Sequence, residues 1–118
     1  NDALFTICQC ETVEGLENID KIAGTPGVDC VFIGTGDLSL DMGHPNDLKH
    51  PEVAEAIDKI RRTCEDAGVI PGIVTSTPED AARRIKEGFK IVTIMNDLGM
   101  FKKQSLLQIE KVHELCDE

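Results

Sequence analysis

Residues 28–40, "VDCVFIGTGDLSL", hold the pattern that decides the fold. The first six residues form a nearly continuous apolar run rich in β-branched side chains, which is typical of a parallel strand covered on both faces. Two glycines, Gly34 and Gly36, follow and allow a sharp backbone turn that exposes successive N–H groups. The sequence therefore predicts a buried strand with Asp37 in the turn at its carboxyl end.

Three other apolar runs have the length of a strand, and a helical pattern follows each. The runs are "ALFTICQC" (3–10), "VIPGIV" (69–74) and "FKIVTIM" (89–95). Apolar residues between and after the runs keep a three- or four-residue spacing, which predicts amphipathic helices. They are Leu16, Ile19, Ile22, Val53, Ile57, Ile60, Cys64, Ala67, Leu106, Ile109, Val112 and Leu115. Four strand–helix units in succession predict an α/β fold with a parallel sheet.

Helix ends are marked by local signals. Pro51 and Pro78 suit the first position of a helix, Thr77 supplies a capping hydroxyl, and Gly88 stands where a helix stops.

Two architectures contain successive strand–helix units, an open doubly wound sheet and half of an eight-stranded barrel. The chain opens almost directly on an apolar strand, which favours the half-barrel. In both architectures, ligands bind at the carboxyl ends of the strands.

Composition limits the function classes. The 118 residues suit one domain, and 22 acidic against 12 basic residues give a net charge of −10, which disfavours nucleic acid and anionic membranes as partners. The five cysteines form no C-x-x-C motif, which indicates a reducing compartment. No signal peptide or membrane-spanning run is recognisable, so we expect a soluble cytoplasmic protein.

Two carboxylates are candidates for a metal site. Side chains alternate along a strand, so Gln9 and Glu11 share one face while Cys8 and Cys10 share the other. If the first two strands are neighbours, Glu11 and Asp37 stand at the same rim, and two carboxylates without His or Cys suit Mg²⁺ or Mn²⁺ better than zinc. The alternative is a solvated Glu11 and an Asp37 that caps the following turn.

A resemblance extends this interpretation. The run "QCETVEGLENIDKIAGTPGVDCVFIGTGDLSLDMG" (9–43) resembles the HpcH/HpaI aldolase family of class II pyruvate aldolases, through its Q-x-E-T-x-x-G-x-x-N-I-D and G-x-x-D-L-S segments. The likeness continues through "HPEVAEAIDKI", "GIVTSTPEDAARRIKEGFKIVTI" and "NDLGMF". It implies that residues 1–118 form a single incomplete domain, the C-terminal half (strands five to eight) of a TIM (β/α)₈ barrel.

The resemblance also implies an activity and a site. The family cleaves or forms 4-hydroxy-2-oxo acids, of the 2-dehydro-3-deoxyglucarate type, through a metal-bound pyruvate enolate. By this likeness Glu11 and Asp37 would be the protein ligands of a divalent metal (Mg²⁺, Mn²⁺ or Co²⁺), with Gln9 beside it. The backbone of Gly34, Thr35, Gly36 and Asp37 would hold the pyruvate carboxylate, and Met100 would supply an apolar wall.

Part of the family's catalytic set has no counterpart in this sequence. The family uses an arginine and a histidine–aspartate pair from the first half of the barrel. His44, His50 and His113 do not match those positions and are expected at the surface or at helix ends, and Arg61, Arg62, Arg83 and Arg84 are expected on solvated helix faces. We therefore expect the 118-residue chain alone to be inactive.

The expected partners and the rival interpretations follow from this. The chain should pair with an N-terminal half-barrel or another copy of itself, in a homo-oligomer, and act on pyruvate or a hydroxy-oxo acid. One rival is the related citryl- or malyl-CoA lyase class, and the other is a non-catalytic half-barrel that serves as an assembly module. The Gln9-x-Glu11 pair and the "GDLS" segment favour the aldolase branch.

Overall fold

The computed structural model describes residues 3–116 and contains one four-stranded parallel sheet. Its strands are β1 (Ile7–Cys10), β2 (Cys30–Ile33), β3 (Ile70–Thr75) and β4 (Ile91–Ile94), in the spatial order β1-β2-β3-β4. Each strand pairs in parallel with the next. The predicted α/β fold with parallel strands is confirmed.

Helices follow every strand. They are α1 (Val13–Glu17), α2 (Ile19–Ala23), α3 (Thr35–Asp41), α4 (Pro51–Ala67), α5 (Pro78–Glu87) and α6 (Asp97–Cys116). The predicted helix ends are confirmed at α5, where the Asp80 N–H donates to Thr77 Oγ1 at 3.1 Å and Gly88 adopts a φ of 111°. None of the helices within residues 3–116 combines the length and apolar character needed to cross a lipid bilayer.

Two local predictions differ from the structure. The apolar pattern at Leu16, Ile19 and Ile22 spans two short helices, because the chain breaks at Asn18, whose side-chain amide donates to the carbonyl of Glu14 at 2.9 Å. The glycine turn after β2 is the start of α3, and the φ of Gly34 is an ordinary −83°. Burial of Leu38 in the core stabilises α3 despite its glycine.

The hydrophobic core lies between the sheet and the helices on one of its faces. Val31, Ile33 and Ile73 of the sheet pack with apolar residues of α2, α3 and α4 and are fully buried. The other face is only partly covered. Phe5 and Ile7, whose alternation puts them on that second face, are each 51% exposed. We call this second face the inner face.

α6 lies largely outside the core. None of its described residues is buried, and the apolar stripe predicted from its sequence is between 51% and 60% exposed. This stripe comprises Leu106, Ile109, Val112 and Leu115. The helix forms as its spacing predicts, but its apolar side packs on little within residues 3–116.

The prediction for Arg84 is wrong. This side chain is only 6% exposed, and its guanidinium carbon lies 5.9 Å from the centre of the Phe89 ring. Its Nη1 atom donates to Oε2 of Glu87 at 3.0 Å. The aliphatic stem of an arginine can be buried while its charged end is paired, so this position of α5 belongs to the packed side of the helix.

Candidate metal centre at the carboxyl ends of β1 and β2

The ends of β1 and β2 lie side by side. Cys10 is in register with Ile33, and the N–H of Gly34 donates to the carbonyl of Cys10 at 3.2 Å. The next residue on β1 is Glu11 and the helix that follows β2 carries Asp37 in its first turn. The sheet thus brings both predicted carboxylates to one rim, and the neighbour relation between the two strands is confirmed.

Glu11 lies directly against the backbone of Gly34. A Cβ atom on residue 34 would sit 2.7 Å from Oε2 of Glu11, closer than real Cβ atoms approach, and 3.0 Å from its Cβ, a contact tighter than most. The glycine is therefore required here for close approach and not for a left-handed backbone. A side chain on residue 34 would move the Glu11 carboxylate from its present place.

Gln9 forms a hydrogen bond with the same carboxylate. Its Nε2 atom donates to Oε2 of Glu11 at 2.6 Å, and it would also lie 3.1 Å from a Cβ on residue 34. The two side chains therefore share one face of β1, two residues apart. A neutral amide orients the carboxylate and leaves its charge uncompensated.

Glu11 and Asp37 line a common cavity of about 390 Å³. The lining residues are Glu11, Thr12, Asp37, Leu40 and Asp41. Three of these five residues are carboxylates and none is basic, so the cavity attracts cations. Oxygen donors of this type are the ligands that Mg²⁺ and Mn²⁺ prefer, and the residues present fit a hard divalent metal.

Sequence reasoning missed Thr12 and Asp41. Oδ2 of Asp41 accepts the N–H of Val13 at 2.7 Å, and the Thr12 hydroxyl accepts the N–H of Gly15 at 3.0 Å, so both side chains fix the start of α1. Asp41 follows Asp37 by four residues, and this helical spacing was the available signal. The sequence predicts a turn after β2 and not a helix, so the four-residue spacing did not indicate that Asp37 and Asp41 lie on one face.

Ser39 fixes the first turn of α3. It is fully buried, and its hydroxyl donates to the carbonyl of Gly36 at 2.8 Å and accepts the N–H of Asn46 at 3.1 Å. The helical turn that carries Asp37 is therefore anchored from within the helix. The backbone N–H groups of the first helical turn have no acceptor inside the helix itself.

Cys10 does not contribute a ligand. It is 1% exposed, and burial, together with the nearby Glu11 charge, raises the pKa of its thiol. A thiol that keeps its proton is a poor metal ligand. Cys8 and Cys10 both lie on the face of β1 opposite to Glu11, so the carboxylates remain the ligand set.

The other predicted site residues lie at different distances from the cavity. Thr35 is buried and Gly36 is exposed, both in the first turn of α3 next to Asp37. Met100 lies on α6, which follows β4 at the opposite edge of the sheet from β1, and it is 51% exposed. Met100 is not among the residues that line the cavity of Glu11 and Asp37.

Comparisons with known proteins place this geometry in context. The profile of the family described as HpcH/HpaI aldolase/citrate lyase matches residues 1–103. A hydroxypyruvate/pyruvate aldolase of Paraburkholderia phytofirmans is 37% identical over 112 residues, 95% of this chain and 43% of that protein. A 4-hydroxy-2-oxo-heptane-1,7-dioate aldolase of Klebsiella pneumoniae is 42% identical over 103 residues, 87% of this chain and 39% of that protein.

A solved structure agrees with these sequence matches. An HpcH/HpaI aldolase/citrate lyase family protein from Burkholderia cenocepacia J2315 superimposes with a TM-score of 0.90 at 29% identity. The superposition covers 95% of this chain and 44% of that protein. The chain therefore spans well under half the length of the relatives and of the structure that it matches.

Proposed function

The chain belongs to the HpcH/HpaI aldolase/citrate lyase family, and from this premise we propose that it is the C-terminal half, strands five to eight, of a metal-dependent pyruvate aldolase barrel. The proposed reaction cleaves or forms 4-hydroxy-2-oxo acids, with pyruvate as one partner. The rest of the barrel supplies the remaining catalytic groups. The two relatives named above are aldolases, and the proposal adds metal dependence and a substrate class to that general activity.

One observation carries the proposal. The Glu11 carboxylate lies against Gly34, at a point where a methyl group would displace it, and it lines the same cavity as Asp37. A solvated glutamate would need neither the glycine nor the amide of Gln9. The arrangement instead suits two carboxylates that hold one ion.

Each residue of the site has a distinct proposed role. Glu11 and Asp37 would bind the divalent metal, Mg²⁺ or Mn²⁺ and by extension Co²⁺, and Gln9 would orient Glu11. When bound, such a metal acts as a Lewis acid that stabilises negative charge on the keto oxygen of the substrate. The two carboxylates position that acid and do not themselves abstract a proton.

The backbone at the start of α3 would bind the substrate carboxylate. The N–H groups of Thr35, Gly36 and Asp37 lie in the first helical turn, and Gly36 leaves this backbone open because nothing lies within 4 Å of a Cβ placed there. Met100 would form an apolar wall for the substrate. This last role needs α6 to approach the site in the complete barrel, because Met100 lies after β4.

The partly covered inner face supports pairing with a second half-barrel. Phe5 and Ile7 are half-exposed, and β1 and β4 each end the sheet with a row of unpaired backbone groups. Closing a barrel covers such a face and removes both edges. The proposed partner is the N-terminal half or another copy of this chain, in a cytoplasmic homo-oligomer, and the isolated 118 residues would be inactive.

Retro-aldol turnover in the complete barrel tests the proposal. Glu11→Gln and Asp37→Asn should each lower pyruvate release from a 4-hydroxy-2-oxo acid by at least about 100-fold, because the loss of a metal ligand removes transition-state stabilisation. Glu14→Gln and Asp66→Asn, which change exposed carboxylates elsewhere, are the matched controls and should leave turnover unchanged. Unchanged turnover in either site variant would remove that residue from the site.

Two other results would redirect the assignment. Turnover of an acyl-CoA thioester, with none of a free hydroxy-oxo acid, would place the protein in the citryl- or malyl-CoA lyase branch. Calorimetric titration with Mn²⁺ and pyruvate that gives no pyruvate-dependent heat would indicate a non-catalytic assembly module.

A further inference from the structure

A second group of potential metal ligands lies in the connection between α3 and α4. His44, His50 and Glu52 form the one group of three or more His, Cys, Asp or Glu residues within 3–116 whose ligand atoms all lie within 4.8 Å of one another. None of the three lines the cavity of Glu11 and Asp37. We call this group the His–His–Glu cluster.

The cluster is closely packed. The imidazole rings of His44 and His50 stack with their centres 3.5 Å apart and their planes 16° from parallel. The Nε2 atom of His44 lies 2.9 Å from Oε2 of Glu52, at hydrogen-bond distance. The side chain of His44 is 25% exposed and that of Glu52 68%, so an ion from solvent can reach the group.

One polar atom of the cluster has no protein partner. Nδ1 of His50 is buried and makes no hydrogen bond with any residue in the described range. A buried nitrogen without a partner costs free energy. His50 also precedes α4 without capping it, since its side chain makes no hydrogen bond to that helix.

The backbone holds the cluster in place. The N–H of His44 donates to the carbonyl of Ser39 at 2.8 Å, and the N–H of Asp47 donates to the carbonyl of His44 at 3.0 Å. The N–H of His50 then donates to the carbonyl of Asp47 at 3.1 Å, and Glu52 lies in the first turn of α4. The connection is thus an ordered loop whose ligand atoms are brought together before any ion binds.

We propose that His44, His50 and Glu52 form a second metal site, which binds a divalent transition cation such as Zn²⁺. Two imidazoles and one carboxylate form the three-protein-ligand set typical of open zinc sites, with a water in the fourth position. Zinc–ligand distances of about 2.0–2.2 Å would put the ligand atoms roughly 3.4 Å apart in a tetrahedron. Because an imidazole binds a metal in the plane of its ring, one of the two stacked rings must turn out of the stack when the ion binds.

Binding replaces an existing contact. The cation takes the position between Nε2 of His44 and Oε2 of Glu52, and any hydrogen shared there is released as a proton. The first site differs in chemistry, because Glu11 and Asp37 offer only hard oxygen donors while the cluster offers nitrogen. The two sites should therefore prefer different metals, Mg²⁺ or Mn²⁺ at the first and Zn²⁺ at the second.

Calorimetric titration with Zn²⁺ alone tests the proposal. It is performed on the full chain carrying Glu11→Gln and Asp37→Asn, so that the first site lacks both of its proposed metal ligands. One Zn²⁺ should bind, and His44→Gln, His50→Gln or Glu52→Gln should each weaken binding at least tenfold, since even an outer-shell partner is worth about 10–100-fold. His113→Gln and Glu55→Gln, which change an exposed imidazole and an exposed carboxylate, are the matched controls.

A measurement on the unsubstituted chain decides the matter if a variant does not fold. In imidazole ¹⁵N spectra, the signals of His44 and His50 should shift together at one equivalent of Zn²⁺, while that of His113 should not. Millimolar Mg²⁺ should not reverse the shift. Absence of Zn²⁺ binding, binding that survives the cluster substitutions, or a shift confined to one of the two imidazoles would overturn the proposal.

Discussion

Oε2 of Glu11 lies 2.7 Å from the point that a Cβ atom of residue 34 would occupy. This relation joins the end of β1 to the start of α3, and it makes the position of one carboxylate depend on the absence of a side chain in another element. It also gives Gly34 a steric role, since its φ of −83° is open to any residue.

Gly34→Ala should displace the Glu11 carboxylate. The new methyl group would also lie 3.0 Å from Cβ of Glu11, so the strand end itself must shift. Overpacking of this kind costs about 1–3 kcal/mol of folding free energy. We expect both the thermal midpoint of unfolding and the Mn²⁺ affinity to fall. The amplitude of the free-ion electron paramagnetic resonance signal measures the affinity.

Gly36→Ala is the matched control for that substitution. A Cβ at residue 36 meets nothing within 4 Å, and alanine in a helix is favoured over glycine by about 0.5–1 kcal/mol. Its Mn²⁺ affinity should equal that of the unsubstituted chain. Equal Mn²⁺ affinities in both alanine variants would show that the close approach of Glu11 to Gly34 is irrelevant to metal binding.

Arg84 and Arg83 should differ in their contribution to stability. Arg84 is 6% exposed and packs over Phe89, whereas the side chain of Arg83 is 55% exposed. Arg84→Ala should lower the free energy of unfolding by about 2–4 kcal/mol, mainly through lost packing, since Glu87 keeps its ion pair with Arg83 at 3.2 Å. Arg83→Ala should cost under about 1 kcal/mol. Urea denaturation measures both, and similar losses would contradict the buried placement of Arg84.

Cys64 should make the fold sensitive to alkaline pH. Burial raises the pKa of its thiol from an ordinary 9.0 to about 12. Between these values the unfolded chain has lost a proton that the folded chain keeps, so stability falls as the pH rises above 9. Urea midpoints from pH 8 to 11 measure the trend, and thiol labelling of the folded chain should modify the exposed Cys116 long before Cys64. Equal labelling rates would be inconsistent with this burial.

The inner face should drive association of the isolated chain. Ile7 is half-exposed on that face, and Ile7→Lys should shift the chain toward monomer in sedimentation velocity, because a charge resists burial between two sheets. Ile85→Lys, at a 59% exposed position on α5, is the control and should leave association unchanged. The inner face would be excluded as a contact surface if Ile7→Lys had no effect.

Much of the fold follows from local sequence signals. Continuous apolar runs give β2 and β3 because these strands are covered by neighbours, and Thr77 and Gly88 mark the ends of α5 because capping is a local interaction. The helical start at Thr35 could not be read from "GTGDLSL", since burial of Leu38 in the tertiary core outweighs the glycines.

The candidate sites differ in how far sequence reveals them. Alternation along β1 puts Gln9 and Glu11 on one face, and consecutive strands are usually neighbours. A shared rim for Glu11 and Asp37 could therefore be predicted on the condition that β1 and β2 are adjacent. The His–His–Glu cluster was not, because a loop brings His44 and His50 together, and the path of that loop is set by backbone hydrogen bonds in which the carbonyls of Ser39 and Asp47 accept the N–H groups of the two histidines. Arg84 likewise becomes buried through a contact with Phe89 that helical spacing alone does not define.

Mn²⁺ stoichiometry tests the central claim most directly. In the chain carrying His44→Gln, which disables the second cluster, equilibrium titration followed by electron paramagnetic resonance should show one bound Mn²⁺. Either Glu11→Gln or Asp37→Asn should remove that same ion. Two bound ions, each lost in only one of the two variants, or one ion that neither substitution weakens, would contradict a shared site at the ends of β1 and β2.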